Sequence, residues 1–275
     1  MEIIDYDEKT INYINLIKKI DDDLLTESLY SGLSEITEFI PNSKIPITLE
    51  TLLLITSSSN FLKCSIFDIS ISQDIYSSAV LYRALIELYI KSYYLFTNFI
   101  LCNDDSFSKN FRMISEAAEI INTYKVGDKQ NKIYGSPKEK YNPYDYIEAA
   151  YPIFKGSSKN KINAKINQHS FNNMLKFIIN YYKNSKGKEA LPKTLISDYS
   201  TLSSYIHGGE FSRIHSIFCS NPENRFIEIK KTVDMTYFFS LSIKLHLFLI
   251  ASKFDNKFIK YVDLLLENII LENIK

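Results

Sequence analysis

The chain has no tryptophan, only three cysteines and four histidines, and just 7 glycines and 7 prolines in 275 residues. Each shortage removes a class of protein. Cys64, Cys102 and Cys219 are far apart and odd in number, so they make neither a disulfide framework nor a paired-thiolate metal site. They read as reduced thiols that pack like small apolar side chains, which places the expected compartment in the cytoplasm. The sequence holds no glycine-rich phosphate loop, no G-x-S-x-G elbow and no Cys–His pair of recognisable spacing. No helical pair of histidines is completed by a carboxylate, so neither a metal nor another cofactor is expected. The first residues, Met-Glu-Ile-Ile-Asp-Tyr-Asp-Glu, are acidic where a secretory signal would be basic. The longest apolar run, Met235 to Ile250, is broken by Ser240, Ser242, Lys244 and His246. It falls short of the roughly 20 residues a bilayer crossing needs, so it reads as a buried core helix and no membrane partner is expected.

What is present is helical periodicity. Hydrophobic residues make up 45% of the chain, enough for a substantial core in a single helical domain over 1–275. Apolar residues recur at three and four over Lys9–Ile20 and Asp22–Ile40, and from Pro46 toward Phe67 with an expected break at 57–60. The stretch from Ser72 to Ile100 is apolar nearly all round, which predicts one long, central, buried helix. Further helices are expected over 106–124, 143–154, 167–184, 192–207, 231–253 and 255–274. The polar, turn-rich run 125–142 reads as a loop, as does Gly156–Asn160. Only Phe226–Ile229 alternates like a strand. The expected fold is therefore an all-α, multi-helix bundle.

Charge sums to zero but is unevenly spread. Residues 1–124 carry 18 acidic and 9 basic side chains, whereas 125–193 carry 5 acidic and 14 basic. A sub-domain boundary is expected near 125. The basic segment could face phosphates, or could be a solvated surface answering the acidic N-terminal part.

Two patterns could carry chemistry. Arg83 and Glu87 stand four apart in an apolar helix, close enough to pair. Such a pair either fixes helix register or holds an arginine ready for a phosphate. The second pattern is Tyr199-Ser-Thr-Leu-Ser-Ser-Tyr-Ile-His-Gly-Gly209, which places His207 at a helix C-terminus stopped by two glycines. Partial negative charge there favours the imidazolium, so His207 could act as acid or base, or could simply cap the helix. Ser203 and Tyr199 share its face, and Arg213 and His215 could add positive charge beside it. His169 reads as an exposed residue at a helix start, and His246 as a satisfied core histidine.

R-x-x-x-E in a central helix, followed late in the chain by S-x-x-x-H-G, resembles the HEPN-like all-α proteins. The matching residues are Arg83, Glu87, Ser203, His207 and Gly208, within a helical pattern covering roughly residues 70–250. The resemblance implies a bundle that often forms a homodimer. It also implies a metal-independent ribonuclease of anti-phage defence or toxin–antitoxin systems, with RNA as substrate. The usual R-x4–6-H signature is missing, since no arginine precedes His207 at that spacing. On this reading His207 moves the proton, Arg83 or Arg213 stabilises phosphate charge, Glu87 orients Arg83, and Ser203, Tyr199 and His215 contact substrate. The missing signature and zero net charge also suit a non-catalytic helical regulator that binds a protein partner.

Overall fold

The computed structural model describes residues 5–24, 28–135, 142–186, 191 and 195–272. Among the described residues there are twelve α-helices, a few short 3-10 turns and no strand. The chain is all-α.

Three helices form the centre: α3 (Pro46–Ile71), α4 (Ile75–Cys102) and α11 (Pro222–Ser252), each packed on the other two. α11 turns buried side chains to most of its circumference, among them Leu241, Ser242, Ile243, Leu247 and Phe248. Two more helices, α1 (Tyr6–Leu24) and α12 (Ile259–Glu272), lie along it. A glycine lets α2 (Tyr30–Phe39) sit down on this layer: a Cβ at Gly32 would come within 2.9 Å of the Phe248 and Tyr261 rings. The outer side of α4 is covered by α8 (Phe171–Lys186) and α9 (Leu195–Ile206), and α10 (Glu210–Phe218) packs on α9. A small second core of Ile114, Ala117, Ile121, Ile147, Phe154 and Ile162 joins α5 (Ser106–Tyr134), α6 (Pro143–Ala150) and α7 (Lys159–Gln168).

Helix starts follow local chemistry. Asp74 caps α4 by accepting from Ser77 N at 3.0 Å, and Asn221 caps α11 by accepting from Glu223 and Asn224 N. The first amides of α3 have no side-chain cap of their own. Asp105, just ahead of α5, accepts from Ile47 N at 2.9 Å and Thr48 N at 2.8 Å instead, tying two helix starts together.

Several expectations are corrected. The run from 125 is not a loop: α5 continues to Tyr134. Lysine, glutamine and asparagine tolerate a helix, and a Lys132–Asp128 ion pair at 2.6 Å spans one of its turns. Residues 136–141, the rest of that expected loop, lie outside the described residues. Phe226–Ile229 is the start of α11 and not a strand. Phe226 meets the rings of Tyr6 and Tyr13 while Ile229, three further on, is buried, so the helical period was hidden in a four-residue window. α3 runs unbroken through 57–60. The longest described helix is α11, with 31 residues, and α4 has 28. The segment 167–184 divides at His169 into α7 and α8. The expected helix start at 192 and helix end at 274 lie outside the described residues.

By length and hydropathy alone, α3 and α11 could each cross a membrane; 39% and 72% of their most apolar windows are buried inside the molecule. α11 also carries polar side chains into the core, Lys244 and His246 among them. His246 accepts or donates at 3.0 Å to Ser92 and stacks among Tyr93 and Phe96, as expected of a satisfied core histidine. Burial pushes its pKa down to about 3. His169 is not the exposed residue expected. It packs against Tyr94, Phe107 and Phe111, and burial lowers its pKa to about 4.

Candidate functional site

The two sequence patterns meet across the α4–α9 contact. α9 is held on α4 by Leu195, Leu202 and Tyr205, all buried, and by the Tyr76 hydroxyl, which donates to the Tyr205 carbonyl at 2.6 Å. That seating turns Tyr199 and Ser203, one helical turn apart, toward Arg83 and Glu87, also one turn apart.

A closed polar ring results. Arg83 donates through Nε to Ser203 Oγ at 3.2 Å and through Nη2 to the Tyr199 hydroxyl at 2.8 Å. Tyr199 passes the chain on, donating to Glu87 Oε1 at 2.9 Å. Arg83 Nη2 lies 3.3 Å from the same Oε1. Ser203 donates back to the Tyr199 carbonyl at 3.0 Å, which fixes its rotamer as an acceptor toward Arg83. From α8, Phe171 stacks on the Tyr199 ring with centroids 3.6 Å apart. Burial raises the Tyr199 phenol above its ordinary value and the Glu87 carboxylate adds to the rise, so the hydroxyl stays a donor at neutral pH.

The ring is not sealed. The side chains of Arg83 and Glu87 keep 22% and 33% of their exposure. Among the described residues, Arg83 Nη1 and Glu87 Oε2 have no hydrogen-bond partner, and neither is a buried orphan. One donor and one acceptor thus face solvent, while their neighbours on the same groups are fixed.

His207 stands one turn past Ser203, just beyond the end of α9, and is exposed. Its backbone N–H donates to the Ser203 carbonyl at 3.4 Å. Among the described residues its imidazole makes no hydrogen bond or ion pair, to a side chain or to a backbone carbonyl, so the capping alternative finds no partner there. The two glycines after it differ in purpose. Gly208 has φ +62°, the left-handed conformation that ends many helices. Gly209 makes space instead: a Cβ there would lie 2.5 Å from Ser204 Oγ.

Arg213 and His215 do not join the ring. Arg213 points to solvent from α10 and is engaged by Glu210 through both Nε and Nη2. His215 turns inward to a separate cluster, where its Nδ1 meets the Tyr205 hydroxyl, its Nε2 lies 3.7 Å from Glu228, and Cys219 Sγ is 3.9 Å away. Burial pushes the Cys219 thiol up to about 11, which marks it as inert rather than nucleophilic. Glu228 and Phe171 escaped sequence reading. Glu228 fell in the misread strand, and nothing in the sequence distinguishes Phe171 from other aromatic residues at helical spacing. Among the described residues no group of three or more His, Cys, Asp and Glu side chains is placed to hold a metal.

Fold and site together define an all-α protein with a polar ring shared by two helices and an exposed histidine one turn away. Comparison with protein-family models, with curated proteins and with solved structures finds no match to this chain.

Proposed function

We propose that the chain is a HEPN-like, metal-independent endoribonuclease acting at the α4–α9 ring. The observation that carries this reading is the state of Arg83. Two of its nitrogens are held by Ser203, Tyr199 and Glu87, and Nη1 is open to solvent among the described residues. A guanidinium fixed in orientation with a free donor is suited to a phosphate oxygen. In the reaction, His207 takes the proton from an RNA 2′-hydroxyl as its oxygen attacks phosphorus. The P–O5′ bond breaks, the 5′-oxygen leaves with a proton from water, and a 2′,3′-cyclic phosphate results. Arg83 carries the charge that builds on the phosphoryl oxygens. Glu87 and Tyr199 are positioning residues that keep Arg83 aimed.

A second reading is a non-catalytic helical binding protein. It is favoured by His207, which lacks an orienting partner among the described residues, and by the apolar side chains that α10 exposes: Phe211, Ile214, Ile217 and Phe218. That face suits a protein partner or a second copy of this chain.

RNA cleavage in EDTA by wild type, His207→Ala and Arg83→Ala, with circular dichroism as a folding control, separates the two readings. The nuclease reading expects cyclic-phosphate ends from wild type and a loss of at least about 100-fold in each variant. Folded proteins that all leave RNA intact favour the binding reading.

A further inference from the structure

Glu87 faces two ways. Beside it, α3 and α4 leave a groove of about 420 Å³. Phe61 and Leu62 of α3 form one wall, and Ala84 and Leu88 of α4 form the other, with Glu87 and Lys91 as polar edges. Phe61 is 74% exposed, the most exposed phenylalanine among the described residues, so its ring face is presented to solvent and not spent on the core.

The polar edges are unoccupied in a specific way. Glu87 spends Oε1 on both Tyr199 and Arg83, leaving Oε2 without a partner among the described residues. Lys91 likewise makes no hydrogen bond or ion pair among them. It lies on the same helix as Arg83, eight residues on and therefore about 12 Å along the axis. Lys91 lines the groove, Arg83 lies one turn before Glu87 on the same helix, and the groove offers an aromatic face, an aliphatic wall and a carboxylate acceptor.

We propose that this groove is a nucleobase subsite for single-stranded RNA: a base stacks on Phe61 over Ala84 and Leu88, its amino group donates to Glu87, and Lys91 and Arg83 hold phosphates on either side. Adenine and cytosine present an amino donor, whereas uracil presents an acceptor carbonyl at the equivalent edge, so the subsite favours the first two. The volume suits one ring system and its sugar. A docked helix would need apolar anchors over several turns, more than this groove provides. The subsite rests on the RNA reading but not on catalysis.

The test uses fluorescein-labelled 2′-O-methyl octanucleotides of adenine and of uracil. They lack a free 2′-hydroxyl and cannot be cleaved, so anisotropy titrations at one fixed salt concentration read binding alone. Phe61→Ala is expected to weaken the adenine octamer by about tenfold, within the range for loss of one stacked base. Leu54→Ala, an exposed position on α3 outside the groove, is expected to bind as wild type does. Wild type is expected to hold adenine more tightly than uracil. Equal binding by Phe61→Ala and wild type overturns the subsite, and equal binding of adenine and uracil overturns the role of Glu87. Light scattering adds one more arm: a Phe61→Ala variant that loses an oligomer but not oligonucleotide affinity makes this surface a protein interface and sinks the proposal. Phe61-dependent binding with no RNA cleavage keeps the subsite and removes the nuclease. Cleavage without any Phe61 effect does the reverse.

Discussion

The Tyr199 hydroxyl stands between Arg83 and Glu87, accepting from one at 2.8 Å and donating to the other at 2.9 Å. Arg83 and Glu87 also approach each other directly, at 3.3 Å. The hydroxyl neutralises no charge; it bridges the two charged groups. It connects α9 to an ion pair that α4 could make alone. The guanidinium carbon lies 4.7 Å from the Tyr199 ring centroid, so the same residue adds a cation–π contact.

Removing only the hydroxyl separates these contributions. Tyr199→Phe keeps the stacking on Phe171 and the cation–π face and deletes two hydrogen bonds to charged groups. The site is partly open to solvent, so the expected loss is about 1 kcal/mol and not the larger value of a sealed network. Urea unfolding checks it. An unchanged midpoint would mean that water replaces the hydroxyl without loss.

A more severe effect is expected in the core. Lys63 is fully buried and paired with Asp21, whose other carboxylate oxygen has no partner. Truncating one member of such a pair leaves an uncompensated charge in the apolar core. Asp21→Ala is expected to cost on the order of 3–5 kcal/mol, and Asp21→Leu combined with Lys63→Met to recover most of it. Denaturant melts of the single and double variants decide. A double variant as unstable as Asp21→Ala would show that packing, and not charge, is what the pair supplies.

Lys244 gives the fold a pH dependence. It is buried on α11 and donates to Ser240 Oγ at 2.7 Å, and it feels the charges of Lys63 and Asp21. Burial, reinforced by the Lys63 charge and only partly opposed by Asp21, lowers its pKa to about 7. The unfolded lysine holds its proton up to about pH 10.4. Between these values the unfolded state binds more protons, so this group makes stability rise with pH from about 7 upward. Lys244→Met is expected to be more stable than wild type at pH 7, and to lose most of that difference by pH 9.5. Thermal melts of both proteins across that window test the sign. A constant difference would mean that Lys244 does not change protonation on folding.

The sequence carried the two halves of the ring but not their meeting. Spacing of four put Arg83 with Glu87, and Tyr199 with Ser203, because helical geometry fixes neighbours along one element. Whether α9 lies on α4 depends on Leu195, Leu202 and Tyr205 finding the right surface more than a hundred positions away, and no local rule encodes that. The same limit explains Arg213 and His215. They are near His207 in sequence, but α10 turns at Gly209 and takes one to solvent and the other to Glu228. α5 was misread for a different reason. Its last turns are mostly polar and their few apolar residues, Val126, Ile133 and Tyr134, are exposed, so hydrophobic periodicity fades there although the backbone continues as a helix.

The corner at Gly208–Gly209 allows a last, sharper prediction, because the two glycines are required for different physical reasons. Gly208→Ala puts a side chain at φ +62° with nothing within 4 Å, so its cost is conformational, about 1 kcal/mol. Gly209 has an ordinary φ of −71°, so backbone strain is not its problem. Its added Cβ must displace Ser204 Oγ, which accepts from Ser212 N at 3.2 Å in the first turn of α10. The expected cost is the loss of that hydrogen bond, again about 1 kcal/mol. Single substitutions cannot tell these causes apart, but the Ser204→Ala background can. With the hydroxyl already absent, Gly209→Ala should cost little more, whereas Gly208→Ala should cost as much as before. Urea denaturation of the six proteins measures both couplings. If Gly209→Ala and Ser204→Ala prove additive, the hydroxyl is not what holds Gly209 in place, and the close approach of the two residues carries no energetic weight.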